Sequence, residues 1–164
     1  MKSLLFSIAF LFTITFLFKH CSSQIQPGDN KTFLDGHNAA RREVGVDPYT
    51  WDKKLEAYAQ DFANKRKSSC STDLSSKIPY GINLGLGYGS LSSFQTIDRW
   101  VSQKSDYNYT SNSCAKGKDC SAYTQVVWRK SVRLGCGSVA CGIGWPLFVC
   151  VYDPKGNIPG EKPY

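Results

Sequence analysis

The chain has 164 residues, of which 41% are hydrophobic, 13% aromatic and 20% charged, with a formal net charge of +7. That length suits one domain rather than two, and the composition excludes wholesale disorder, collagen and a sustained coiled coil. Only one extended apolar run is present, which excludes a multi-pass membrane protein. That run opens the chain. Lys2 precedes an uncharged, mostly apolar stretch from Leu4 to Phe18, shorter than the ~20 residues that span a bilayer, and Lys19 closes it. The small residues Cys21 and Ser23 stand at positions −3 and −1 of a cleavage before Gln24, so residues 1–23 read as a secretory signal peptide. Its removal leaves 18 basic against 13 acidic residues, a net charge of +5, together with six cysteines and a single histidine, His37. An even cysteine number in an exported chain implies disulfides, but counting alone leaves fifteen pairings open. Asn30-Lys31-Thr32 and Asn108-Tyr109-Thr110 are candidate glycosylation sequons, at Asn30 and Asn108.

Residues 24–31 are polar, contain Pro27 and Gly28, and read as a flexible lead-in. From Thr32 the spacing of Phe33, His37, Ala40 and Val44 predicts a helix ended by Gly45 and Pro48. Asp52 is a candidate N-cap for a second helix, with Leu55, Tyr58, Ala59, Phe62 and Ala63 on one stripe. Residues 68–80 are Ser-rich and irregular, and Gly81 to Leu86 alternate as a strand does. Ser92 and Gln95 suit a capping box, followed by an apolar face of Phe94, Ile97, Trp100 and Val101. Cys114 and Cys120 bracket a small polar loop. Val132 to Val139 and Leu147 to Tyr152 predict two strands across a Gly-containing turn. The tail, rich in Pro and Gly, predicts no regular structure. Helices with a few late strands indicate an α+β fold with an antiparallel sheet.

Chemistry-bearing patterns are sparse. His37 shares an apolar helix face with Phe33 and Ala40, which favours a hydrogen-bonded structural histidine over a catalytic base. No Gly-x-Ser-x-Gly elbow is present, and paired cysteines leave no thiolate nucleophile. Asp73, Asp98, Asp106 and Asp119 are scattered, as ordinary solvated charges are.

The segment Ala122-Tyr123-Thr124-Gln125-Val126-Val127-Trp128-Arg129 resembles the CAP superfamily of cysteine-rich secretory and venom-allergen-like proteins, most closely its plant pathogenesis-related class 1 members. Phe33 to Arg41 (FLDGHNAAR), Leu55 to Gln60 (LEAYAQ), Pro79-Tyr80-Gly81 and the tail from Gly156-Asn157 to Lys162-Pro163-Tyr164 match in the same order. The likeness spans about residues 31–164. It implies a three-layer α-β-α sandwich with a central antiparallel sheet, stabilised by the disulfides Cys70–Cys141, Cys114–Cys120 and Cys136–Cys150. It divides the chain into a leader (1–23), the lead-in (24–31), the domain (32–153) and the tail (154–164).

Members of that family often carry two histidines and two glutamates in a central cleft that can hold a divalent metal. Here those positions fall at Leu74 or Ser75 (the loop is one residue longer), Ile82, Gln103 and Ala122. Zinc takes about four ligands from Cys, His, Asp and Glu, or three and a water. None remains at these positions, so no metal or other cofactor is expected, and Ile82 with Ala122 is expected to leave a small apolar pocket.

The resemblance thus implies a secreted, non-enzymatic, defence-type protein of the extracellular space (the apoplast, or the vacuole, of a plant). One reading is sterol or fatty-acid binding, with candidate lipid or membrane contacts at Tyr123, Val126, Val127, Trp128, Arg129, Lys130 and Arg133; the competing reading of Val126, Val127 and Trp128 is core packing. The alternative function is a precursor that releases Pro154 to Tyr164 at the junction Tyr152-Asp153-Pro154. There the family's Cys-Asn-Tyr is Cys150-Val151-Tyr152, and the tail is expected to need no core contacts unless it serves as a strap. The positive charge also suits an anionic wall polymer or membrane surface. A nucleic-acid partner conflicts with the secretory route, and a monomer is expected.

Overall fold

The computed structural model describes residues 27–74, 77–87, 89–142 and 144–164; the predicted leader, its cleavage point before Gln24 and Ser75 lie outside them. Strand β6 (Trp145–Asp153) alternates Leu147, Val149 and Val151 with Phe148, Cys150 and Tyr152, and all six are buried. A strand apolar on both faces has to be covered on both sides. It lies between β5 (Arg133–Cys141) and β2 (Gly81–Leu86), antiparallel to each. Two residues of β1 (Thr50–Trp51) add to the outer edge of β5 in parallel, giving the order β1-β5-β6-β2, while β3 (Tyr107–Asn108) and β4 (Ser113–Cys114) pair antiparallel in a separate two-stranded sheet. One edge therefore departs from the expected antiparallel sheet. The backbone there runs beside β5 in the same direction, and Thr50 and Asp52 N–H groups donate to Val132 and Leu134 carbonyls at 3.0 and 2.8 Å.

Helix α2 (Lys53–Asn64) covers one face. Asp52 caps it, its carboxylate accepting from Lys54 and Leu55 N–H at 2.7 and 3.1 Å. Leu55, Ala59, Phe62 and Ala63 then pack on Leu147, Val149 and Val151. The approach is close because β5 presents glycines to it. A Cβ on Gly135 would stand 2.1 Å from Glu56 N, and one on Gly137 2.4 Å from Gln60 N. Gln60 fastens the contact: its amide donates to Ser138 O at 2.8 Å and accepts from Ser138 N–H at 3.2 Å.

The opposite face carries α1 (Pro27–Glu43), α3 (Ser93–Ser102) and α4 (Ser121–Val126). Phe33, Ala40, Ile97, Trp100, Tyr123 and Val126 meet Leu134, Phe148 and Tyr152 there, which completes the three layers. The expected capping box at Ser92 and Gln95 is present. Two expectations need correction. Residues 27–31 belong to α1 instead of forming a flexible lead-in: proline is compatible with a first helical turn, where its missing N–H has no helical partner to lose, and Asp29 there faces the positive helix end. Ser93 Oγ also donates to Asp29 at 2.6 Å, tying α1 to α3. Phe94 is 67% exposed, because the buried side of α3 is Ser93, Thr96, Ile97 and Trp100.

The cysteines pair as Cys70–Cys141, Cys114–Cys120 and Cys136–Cys150, the same pairs that the resemblance implies. Cys136–Cys150 crosses adjacent strands β5 and β6 under α1 and α3, and Cys70–Cys141 ties the loop after α2 to the end of β5. Because α2 rests on backbone at Gly137, Gly137→Ala should cost about 1–3 kcal/mol, the range for overpacking a core, read as a lower urea midpoint at unchanged slope. An unchanged midpoint would show that α2 can shift freely.

Candidate functional site

Under α1 lies a sealed polar cluster. His37 is 0% exposed. Its Nδ1 donates to Phe33 O at 2.7 Å, so Nε2 accepts from the Tyr152 hydroxyl at 2.8 Å, and the ring is a neutral tautomer with both nitrogens engaged. Burial pushes its pKa down to about 3, with the nearby Arg41 cation adding to the effect and the Phe33 carbonyl opposing it. Burial likewise raises the Tyr49 phenol to about 12. Arg41, also 0% exposed, donates to Asp47 O (2.5 Å), Trp128 O (2.9 Å), Val126 O (3.3 Å) and Ser131 O (2.9 Å), with its guanidinium 3.9 Å from the Tyr49 ring centroid. A group without solvent access or a free nitrogen is a poor general base, and this cluster holds the fold together. Since the unfolded chain protonates His37 near pH 6.5 and the folded chain only near 3, acid favours unfolding. Stability should fall by about 2 kcal/mol between pH 6.5 and pH 5, and His37→Gln should flatten that slope in urea titrations. Equal slopes in both proteins would contradict the assignment.

Of the positions that the family resemblance assigns to metal ligands, the described ones, Leu74, Ile82, Gln103 and Ala122, do not converge as a donor set. Ile82 packs with the α2 cluster, whereas Ala122 packs with the cluster on the other face, so the shared small pocket expected of them does not form. Gln103 turns its amide oxygen onto the first turn of α4, accepting from Ala122 and Tyr123 N–H at 3.1 and 3.2 Å. Leu74 is exposed beside the Ile82 cleft. Among the described residues no group of three or more His, Cys, Asp or Glu is placed to hold a metal ion. Isoleucine, alanine and leucine offer no donor atoms and the glutamine oxygen is engaged, so these residues do not fit a divalent cation.

The proposed lipid-contact segment is also rearranged. Tyr123, Val126, Val127 and Trp128 are 0–3% exposed and belong to the protein interior, since α4 and the turn after it are drawn under Arg41. Of the cations, Lys130 pairs with Glu161 at 2.6 Å and Arg133 pairs with Asp153, leaving Arg129 exposed. These residues therefore offer no apolar surface to a lipid.

An apolar groove occurs elsewhere, between α1 and α3, with a volume of about 370 Å³. Gly36, Ala39 and Ala40 supply one wall, and Ile97, Val101 and the exposed Phe94 the other. At Gly36 the two helices touch, since a Cβ there would stand 2.9 Å from Ile97 Cγ1. Asp35, Glu43 and Asp98 line its rim. Lys31 pairs with Asp35 and Lys104 with Glu43, whereas Asp98 makes no ion pair among the described residues. The run Gly36, Ala39, Ala40 was the available signal in the sequence, but small residues on a helix face fit tight packing equally well.

The tail is irregular yet firmly held, contrary to the expectation that it needs no core contacts. Gly156 N–H donates to Gln125 Oε1 (3.1 Å), Thr124 Oγ1 to Asn157 Oδ1 (2.7 Å), Ser131 Oγ to Pro154 O (2.6 Å) and Arg129 N–H to Pro163 O (2.6 Å). Tyr164 stacks on Tyr109 with ring centroids 4.7 Å apart. At the junction Tyr152 is fully buried in β6, and Asp153 O accepts from Val132 N–H. Of the sequons, Asn108 is exposed, whereas Asn30 lies in α1 and donates to Glu56 at 3.4 Å. At about 1 kcal/mol per hydrogen bond, a chain ending at Asp153 should lose several kcal/mol of stability in chemical denaturation. A truncated chain as stable as the full one would show that the tail merely lies on the surface.

The model of the CAP, or cysteine-rich secretory protein, family matches residues 34–152. The chain is 50% identical over 157 residues to pathogenesis-related protein 1A1 of Solanum lycopersicum, covering 96% of this chain and 86% of that protein. It is 44% identical over 159 residues to pathogenesis-related protein 1 of Arabidopsis thaliana, covering 97% and 95%. The solved venom allergen-like protein 4 of Schistosoma mansoni superposes with a TM-score of 0.65 at 24% identity, covering 85% of this chain and 95% of that one.

Proposed function

The chain belongs to the cysteine-rich secretory protein family, and from that membership and its own geometry we propose that it is an extracellular, non-catalytic, defence-type protein that binds a sterol between α1 and α3. Its relatives named as plant pathogenesis-related proteins support the defence role, and the three disulfides fit an oxidising compartment.

The observation that carries the ligand assignment is the apolar groove with an acidic rim. Its volume falls within the range of small-molecule sites, which are mostly apolar with a few polar groups that orient the ligand. The rim decides between the two lipid classes. A fatty-acid carboxylate placed there meets Asp98 without a partnering cation, and Lys31 and Lys104 are already engaged. A sterol brings one neutral hydroxyl, which can donate to a carboxylate oxygen. Binding needs no metal, in keeping with Ile82, Gln103 and Ala122. Catalysis has no base to draw on in the His37 cluster. The tail reads best as a strap, because releasing it from this conformation breaks the contacts to Gln125, Thr124 and Ser131.

Ala39 is partly exposed on the groove wall, so Ala39→Trp fills the cavity without opening the core. In an equilibrium assay with fluorescent dehydroergosterol, the mature protein should bind, and Ala39→Trp should weaken binding about tenfold or more, equivalent to ~1.4 kcal/mol, with unchanged thermal unfolding. Absence of sterol binding, or binding indifferent to Ala39→Trp, would refute the assignment.

A further inference from the structure

A second cleft lies at the outer edge of the sheet, beside β2, and no role above uses it. Its volume is about 320 Å³. Leu74, Ile78, Tyr80 and Ile82 make it mainly apolar, and Lys155 stands among its lining residues. We propose that this cleft binds a small apolar monocarboxylate, with Lys155 pairing to the carboxylate and Ile82 contacting the hydrocarbon.

The reasoning is by inventory of the polar groups. Two amide side chains line the cleft, and each is committed through both its oxygen and its nitrogen to groups of the protein. Gln125 accepts from Gly156 N–H at 3.1 Å and donates to Ser131 Oγ at 3.2 Å. Asn157 accepts from Thr124 Oγ1 at 2.7 Å and donates to Ser121 O at 2.9 Å. These bonds also fasten the tail, so the base of the cleft is rigid before any ligand arrives, which limits the entropy lost on binding. Lys155 is exposed and makes no ion pair among the described residues. Among the described residues the lining therefore offers apolar surface, one available cation and no acidic side chain. That combination selects one negative charge attached to a hydrocarbon. A neutral lipid forgoes the charge-assisted bond to Lys155, and a polyanion leaves its remaining charges against apolar walls.

Ile82 adds the discriminating element. A glutamate at this position would place a carboxylate in the same cleft as Lys155, pairing with the cation internally and repelling an anionic ligand. Isoleucine keeps the cation available and extends the apolar wall. The rim charges of the two cavities are opposite, acidic at the α1–α3 groove and basic here, so the two sites sort ligands by charge.

The test is a 1H–15N NMR titration of the mature chain, residues 24–164, with octanoate and with octanol as the uncharged comparison. Octanoate should shift the amides of Gly81, Ile82, Gly156 and Asn157. Lys155→Gln should weaken octanoate about tenfold, the scale of one charge-assisted contact, while changing octanol less than twofold. Ile82→Glu should abolish octanoate binding; this side chain is only partly buried, and an unchanged spectrum elsewhere reports that the variant is folded. Shifts confined to Gly36, Ala39 and Val101, equal octanoate affinity in Lys155→Gln, or equal losses for octanol would each overturn the proposal. The sterol assay on Ala39→Trp reads the other groove, so either assignment can fail without the other.

Discussion

Arg41 is the point from which the rest of the molecule is positioned. A fully buried guanidinium is costly to desolvate and is tolerated only where its donors are satisfied. No carboxylate side chain bonds it. Four backbone carbonyls do, from Asp47, Val126, Trp128 and Ser131, so its bonds hold backbone in place. Two of the four lie at the end of α4 and the turn after it, where orphan carbonyls carry the negative end of the helix. Removing Arg41 would leave all four carbonyls without this donor, and three of them, on Val126, Trp128 and Ser131, lie in buried bonds.

The consequences extend outward through one continuous set of bonds. With 126–131 fixed, Gln125 and Ser131 are fixed, and these hold Pro154 and Gly156. Thr124 then meets Asn157, and the tail is laid across the end of the domain. A Cβ on Gly156 would stand 2.7 Å from both Gln125 and Trp128, so this path admits only a residue without a side chain. The strap in turn forms part of the edge cleft. A buried cation in the first helix thus determines the shape of a surface feature made by the last eleven residues.

Much of the layering was legible because its signals are local. Strand 81–86, the capping box at Ser92 and the cap at Asp52 depend on residues within four positions of one another. The start of α1 was obscured because Pro27, Gly28 and Asp29 are common both in turns and in first helical turns. The segment 123–133 was ambiguous in principle: aromatics interleaved with cations look the same whether the apolar members face lipid or the interior. Arg41, more than eighty positions away, settles the matter by drawing the backbone at 126 and 128 inward. The tail was misjudged for the same reason. Its composition excludes regular structure, as observed, but says nothing about long-range bonds such as Gly156 to Gln125.

The positions that the family resemblance assigns to metal ligands show where polar groups are committed in this fold. Gln103 retains an oxygen, and that oxygen caps α4 through Ala122 and Tyr123 N–H groups. Capping matters for so short a helix, since six residues make few internal hydrogen bonds of their own. Ala122 leaves the backbone at that cap unobstructed, and its carbonyl accepts from Asn83 on β2 at 3.0 Å. Donors and acceptors on this side of the sheet are thus committed to joining α3, α4 and β2. Ile82, on the opposite face of the same strand, has no polar group to commit. Its neighbourhood is therefore apolar, with Leu74, Ile78 and Tyr80 around it and Lys155 beside them, so the two faces of one short strand offer different things: hydrogen bonds to the helices on one side, hydrocarbon on the other.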